Sequence, residues 1–228
     1  MFTSPASELH SAPGLRKALI AVAWASCASL LLSGCMTAAN IAQNLDNKAR
    51  VSETQQGITV LRAHISKLQA AGDPLGDYYY ALGNSDGWIK DVSDPKAITA
   101  LFEKAAAKGS MDAKILLALQ LVSDDALPGR LDYGHGPGKD LNKWEQGLAK
   151  LLPLLQQQCS VRRLVVDEGR AKTAYYPIAY EIWPHFRNGY YQYNADGTRT
   201  LLKDPERQKI WEKLDRSCPI PEFEWVKP

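Results

Sequence analysis

Asp94-Pro95-Lys96-Ala97-Ile98-Thr99-Ala100-Leu101-Phe102-Glu103-Lys104-Ala105-Ala106-Ala107-Lys108-Gly109 is the stretch that decides the fold. Asp is a strong helix N-cap, and Pro fits the first helical position, where its missing N–H is not needed. Ala97, Leu101, Ala105 and Ala106 then recur at helical spacing and make a narrow face of small residues. Such a face lets a second helix approach closely. Lys108 in the last turn and Gly109 just beyond it end the helix. The segment before it opens by the same device. Asp73-Pro74 starts a helix over Leu75 to Leu82, and Gly83-Asn84-Ser85-Asp86-Gly87 is expected to break it.

The pattern repeats. Ala70-Ala71-Gly72-Asp73 recurs as Ala107-Lys108-Gly109-Ser110, and at the same offset Ala81-Leu82 is matched by Ala118-Leu119. That offset falls among the 20–50-residue periods of solenoids, whose units need neighbours to cover their apolar faces. A second helical pair is read over Ser110 to Val122 and Leu141 to Gln158. The later helix is built around Trp144, Leu148, Leu151, Leu152 and Leu155. A Gly-rich loop, Leu127 to Lys139, separates the two.

Ala81-Leu82-Gly83, Asp94-Pro95-Lys96-Ala97, then Phe102-Glu103-Lys104-Ala105-Ala106 and Gly109 resemble the Sel1-like repeat, a variant of the tetratricopeptide hairpin. Asp91 or Asp94 takes the acidic position, and Phe102 stands where Tyr or Trp is usual. Pro153 departs from the Lys-Ala-Ala pattern in the second unit. The resemblance implies a short α-hairpin solenoid that mediates protein–protein contacts. Tyr78, Tyr79 and Trp88, on the expected inner helix faces, are the candidate binding residues; packing between repeats is the alternative role for them. Upstream, Ala38 to Ala71 reads as helix, in one piece or two. There Ile58, Leu61, Ile65 and Leu68 share one face.

From Cys159 the composition changes. Tyr175, Tyr176, Tyr180, Trp183, Phe186, Tyr190, Tyr191 and Tyr193 crowd into one segment, and Pro177 and Pro184 argue against a single helix there. Tyr190–Tyr193 and Thr198–Leu202 flank Asn194-Ala195-Asp196-Gly197, a β-hairpin signal. Asp204-Pro205 caps a short helix to about Arg216. Cys218 to Pro228, punctuated by proline, is expected to run extended along the body. The aromatic segment is read as a cap over the end of the solenoid, as a recognition surface, or as both through different rings.

The N-terminal region carries an address. Arg16-Lys17 precedes an apolar run, Ala18 to Leu32, that ends in Leu32-Ser33-Gly34-Cys35. The order of basic, apolar and small residues is that of a secretory signal. The run is shorter than the roughly 20 residues a spanning helix needs. Leu32-Ser33-Gly34-Cys35 resembles the lipobox of bacterial lipoproteins. That resemblance implies cleavage before Cys35, lipid on Cys35, and a mature protein tied to a membrane outside the cytoplasm. Met36 rather than Asp after the cysteine favours the outer membrane if the source is Gram-negative.

The chain has 228 residues, with 27 basic and 25 acidic side chains and 45% hydrophobic content. This is enough for a proper core, and the near-neutral balance is no nucleic-acid footprint. Two of its four cysteines remain beyond the lipobox, Cys159 and Cys218. In a compartment that permits disulfides they are expected to pair, stabilising by roughly 3–4 kcal/mol. Two buried free thiols are the alternative.

No catalytic constellation emerges. His64, His135 and His185 are not at metal-ligand spacing. Gly134-His135-Gly136-Pro137-Gly138-Lys139 lacks the phosphate-loop order and reads as a connector. Asp124-Asp125 and Asp167-Glu168 read as ordinary loop acids. The expected layout is a signal over 1–34, a lipidated N-terminus and leading helix over 35–72, helical hairpins over 73–158 and an aromatic cap over 159–228. The expected fold is mainly α with a β-hairpin in the cap. The expected role is a lipid-anchored interaction or scaffold module of the cell envelope with a protein or peptide partner. No enzymatic activity, cofactor, metal or nucleic acid is expected. A peptidoglycan- or sugar-binding or -processing envelope protein is the alternative.

Overall fold

The computed structural model describes residues 51–123, 127–128 and 140–226, together with residues 43, 48 and 50. The signal region, Cys35, Asp124-Asp125 and most of the Gly-rich loop, including His135, lie outside the described residues. The chain divides into two compact units, Met1–Val51 and Ser52–Pro228. In the first, the described residues 43, 48, 50 and 51 are helical. The second is mainly helical with a few short strands.

It opens with helix α1 over residues 52–70, then α2 (Pro74–Asp86), α3 (Pro95–Ala107), α4 (Met111–Val122) and α5 (Leu141–Gln157). Each of the last four packs on its neighbour in sequence. The caps are those the sequence provides. Asp73 accepts from Leu75 N at 2.9 Å, Asp94 from Ala97 N at 2.9 Å, Ser110 from Ala113 N at 3.2 Å and Asp140 from Lys143 N at 3.0 Å. Leu61 and Ile65 of α1 are buried, with Ile58 and Leu68 half-buried beside them.

Two local expectations are corrected. Helix α2 does not break at Gly83 but runs to Asp86 and ends at Gly87, whose φ of 78° suits glycine. Asn84 sustains the added turn: its Nδ2 donates to Tyr80 O at 2.9 Å, and its Oδ1 accepts from Val92 N at 2.8 Å. In α3 the buried residues are Ile98, Phe102 and Ala105, whereas Ala97 is exposed. Rotating the helix this way covers two large side chains instead of methyl groups, which removes more apolar area from water.

Asp77 holds α2 to α3. It is buried and forms ion pairs with Lys104 (3.2 Å) and Lys108. Burial pushes its carboxyl up, but hydrogen bonds from the two ammonium groups outweigh this and leave it below the usual carboxylate range. Pro153 is tolerated inside α5 because it is exposed, and the carbonyl it leaves unpaired belongs to exposed Ala149, within reach of water.

Helices α4 and α5 meet at Gly147. A Cβ there would lie 2.7 Å from Val122 Cγ2 and 2.8 Å from Val122 N. Backbone cannot yield as a flexible side chain can. Gly147→Ala is therefore expected to cost about 1–3 kcal/mol through overpacking, despite the better helix propensity of alanine. A lower urea midpoint at unchanged slope is the measurement that checks it.

After α5 come β1 (Ser160–Asp167), β2 (Arg170–Pro177), α6 (Ala179–Asn188), β3 (Tyr190–Tyr193), β4 (Arg199–Leu202), α7 (Pro205–Arg216) and β5 (Glu224–Trp225). Strands β1, β2 and β5 form one antiparallel sheet in that order; β3 and β4 form the hairpin read from the sequence. The β1–β2 hairpin was not expected. Asp167-Glu168 is not a loop pair: Asp167 ends β1, and Glu168 (φ 48°) and Gly169 (φ 74°) make a two-residue turn with positive φ at both positions. The aromatic segment is divided among β2, α6 and β3, with Pro184 inside α6. Trp144, Phe186, Tyr190 and Trp211 stack as one cluster, with ring centroids 4.7 Å apart for Trp144–Tyr190 and 5.4 Å for Trp144–Phe186. Cys159 and Cys218 are joined, with Sγ–Sγ 2.02 Å, so the start of β1 is tied to the end of α7. No helix among the described residues is long and apolar enough to cross a membrane.

Candidate functional site

Arg162 is the residue around which the second unit is organised. It faces Tyr175 directly across the β1–β2 pair. Its main chain is not paired to a further strand but to side chains of the helices. Arg162 N donates to Asp112 Oδ1 at 2.8 Å, and Tyr78 Oη donates to Arg162 O at 2.5 Å. Its guanidinium donates to Asp112 Oδ2 through Nε (3.1 Å) and Nη2 (2.5 Å). Asp112 also accepts from Gln158 Nε2 at 3.0 Å.

Asp112 is fully buried, and it sits in the first turn of α4, where the helix dipole favours a carboxylate. Burial would lower the Arg162 pKa; the Asp112 carboxylate more than reverses this and holds the group firmly charged. A buried carboxylate with four donors is satisfied, so the cluster is rigid. Nη1 of Arg162 has no partner among the described residues, and the side chain keeps 29% of its surface.

Arg162 and Tyr175 line two clefts. One, about 510 Å³, lies between α1, Tyr79 and the β5 side of the sheet, with His64, Lys67, Thr173, Glu224 and Trp225 on its walls. The other, about 450 Å³, lies between the end of α5, the disulfide and Pro219 and Pro221. In the first, Tyr175 Oη donates to Glu224 Oε1 at 3.2 Å. Burial, aided by neighbouring Lys67, pushes the His64 pKa down, which leaves its ring neutral at pH 7. Burial pushes the Tyr79 hydroxyl up to about 12.

A different surface lies on the β3–β4 hairpin. Tyr191, Tyr193, Arg199 and Leu201 share one face by register, because Tyr191 pairs with Leu201 and Tyr193 with Arg199. Tyr191 is 44% exposed, Tyr193 50% and Leu201 49%. The Arg199 guanidinium lies 4.8 Å from the centre of the Tyr191 ring. Tyr, Arg and an aliphatic group in contact on a solvent face is the composition of interface anchors.

The sequence-derived candidates fall in different places. Tyr78 is fully buried, with its hydroxyl spent on Arg162, so it is a core residue. Tyr79 is almost wholly buried against Tyr78 and His64, and only its edge reaches the first cleft. Trp88 is half-buried against Gly83 and is in neither cleft. The structure brings Tyr78 and Tyr79 together and leaves Trp88 apart. Arg162, Asp112, Thr173, Glu224 and Trp225 were missed. One signal for them was present: Asp112 is the only acid in the apolar helix Met111–Val122. Among the described residues no group of three His, Cys, Asp or Glu is placed to hold a metal. Comparison of the chain with protein-family models, with curated proteins and with solved structures finds no match.

Proposed function

We propose that the protein is a lipid-anchored interaction module of the cell envelope, held by lipid on Cys35 and binding a protein or peptide through the exposed β3–β4 face. The observation that carries the reading is that face: Tyr191, Tyr193 and Leu201 stand in water on one side of a two-stranded sheet. The proposal includes α2–α3 and α4–α5 as Sel1-like hairpins. Their role is then to build a rigid body behind the hairpin, since Trp144 of α5 stacks on Tyr190 of β3.

The test places a photo-crosslinking residue at Tyr193 in the native envelope, with exposed Lys209 of α7 as the control position. A discrete adduct from position 193 and none from 209 is the expected result, found in the membrane fraction and lost from it in a Cys35→Ala background. No adduct at 193 would overturn the binding role. Unchanged membrane partition of Cys35→Ala would overturn the anchor. Paired exposed tyrosines also stack on sugars, so pelleting of the pure protein with isolated cell wall would transfer the assignment to a peptidoglycan or sugar ligand.

A further inference from the structure

We propose that the cleft between α1, Tyr79 and the β5 side of the sheet binds an α-amino-acid zwitterion, free or as the two termini of a dipeptide. The site is separate from the β3–β4 face and does not rest on the anchoring of the chain. Its volume, about 510 Å³, is in the range of small-ligand sites.

Two opposite charges share the cleft without pairing. Arg162 on β1 and Glu224 on β5 stand on the same side of the sheet. Arg162 is opposite Tyr175, Glu224 is opposite Thr173, and Thr173 and Tyr175 are two apart on β2. The strands are two spacings apart, roughly 10 Å. Arg162 spends Nε and Nη2 on Asp112, and Glu224 spends Oε1 on the Tyr175 hydroxyl. Nη1 of the arginine and Oε2 of the glutamate have no partner among the described residues. A ligand with a carboxylate at one end and an ammonium at the other would satisfy both.

Lys67, beside His64, adds a second cation to the lining of the cleft. His64 adds a neutral hydrogen-bonding ring, not a further cation. Tyr79 and Tyr175 line the cleft beside the charges, whereas the ring of Trp225 packs on Arg170 on the other face of the sheet. The two tyrosine rings offer apolar surface to a ligand's side chain. A simple anion is repelled by Glu224, and a simple cation is repelled by Arg162 and Lys67. The arrangement therefore selects against either alone.

Saturation-transfer NMR on the purified full-length chain in detergent tests this. The probes are the free L-amino acids, D-alanine and L-alanyl-L-alanine, each compared with its N-acetylated and C-amidated form. Transfer from at least one free zwitterion at millimolar concentration is expected, with acetylation and amidation each weakening it about tenfold or more. Amino acid and dipeptide are separated by which of the two saturates at the lower concentration. Glu224→Gln, at an exposed position that leaves the core intact, should weaken the zwitterion while leaving the N-acetylated form bound as well as before or better. No transfer from any probe, equal binding of blocked and free forms, or unchanged affinity in Glu224→Gln would each overturn the proposal.

Discussion

Asp112→Ala should destabilise the protein by about 3 kcal/mol or more, within the 3–5 kcal/mol typical of breaking a buried ion pair from one side. The lower end is expected because Arg162 keeps 29% of its side-chain surface and can recover some hydration. Four donors lose their acceptor together: Arg162 N, Nε and Nη2, and Gln158 Nε2. Two of these groups belong to a charge that cannot be neutralised by losing its proton. Against a total stability of order 5–15 kcal/mol the loss is large. Asp112→Asn should cost less, since its amide oxygen can still accept from Arg162 N. Urea unfolding of the two variants and wild type measures it; a loss below about 1 kcal/mol for Asp112→Ala would mean that the cluster contributes little.

Opening the Cys159–Cys218 bridge should be the other large effect. The bond closes a loop of 59 residues, for which the loop-entropy model gives about 4 kcal/mol. The loop contains β1, β2, α6, the β3–β4 hairpin and α7. The strand β5 depends on it differently, since it lies beyond Cys218 and is held by a two-residue pairing to β2. Cys159→Ser/Cys218→Ser should therefore lower the melting temperature and also expose the tail after Ser217 to protease before the helices are cut. Equal stability under oxidising and reducing conditions would remove the bridge from the forces that hold this region.

Helices α2 to α5 and α7 were legible because their ends are written locally, whereas α6 was not, since Ile178 supplies no side-chain cap and Pro184 lies inside it. Asp73-Pro74, Asp94-Pro95, Ser110, Asp140 and Asp204-Pro205 each place an oxygen against a free N–H at a helix start. The β3–β4 hairpin was legible for the same reason, through Asn194 to Gly197. The β1–β2 hairpin was not. Its turn hides in an acidic pair, and its strands carry Arg162, Arg163 and Lys172 among the apolar residues. The aromatic tract defeated a simple reading because adjacent rings go to different fates: Phe186 is buried, while Tyr191 is not. The candidate site was least legible. Asp112 and Arg162 are 50 residues apart, and no local pattern couples them. Tyr78 and Tyr79, read from the sequence with Trp88 as binding residues or as packing between repeats, are buried, and their rings serve the core first.

The way Asp112 and Tyr78 grip Arg162 bears on a problem that the sequence itself creates. Arg162 is followed by a second arginine, Arg163, so the carboxylate could in principle take either side chain. A slip of β1 by one position would carry Arg163 to the place of Arg162. But successive residues of a strand turn their main-chain groups, as well as their side chains, to opposite sides. After a slip, the N–H and C=O presented to Asp112 and Tyr78 would point away toward β2. The guanidinium of Arg163 would stand on the other face of the sheet, so side chain, amide and carbonyl would lose their partners together. Two helices thus choose the reading frame of a strand, which protects a tandem of identical residues from being threaded one step out of place.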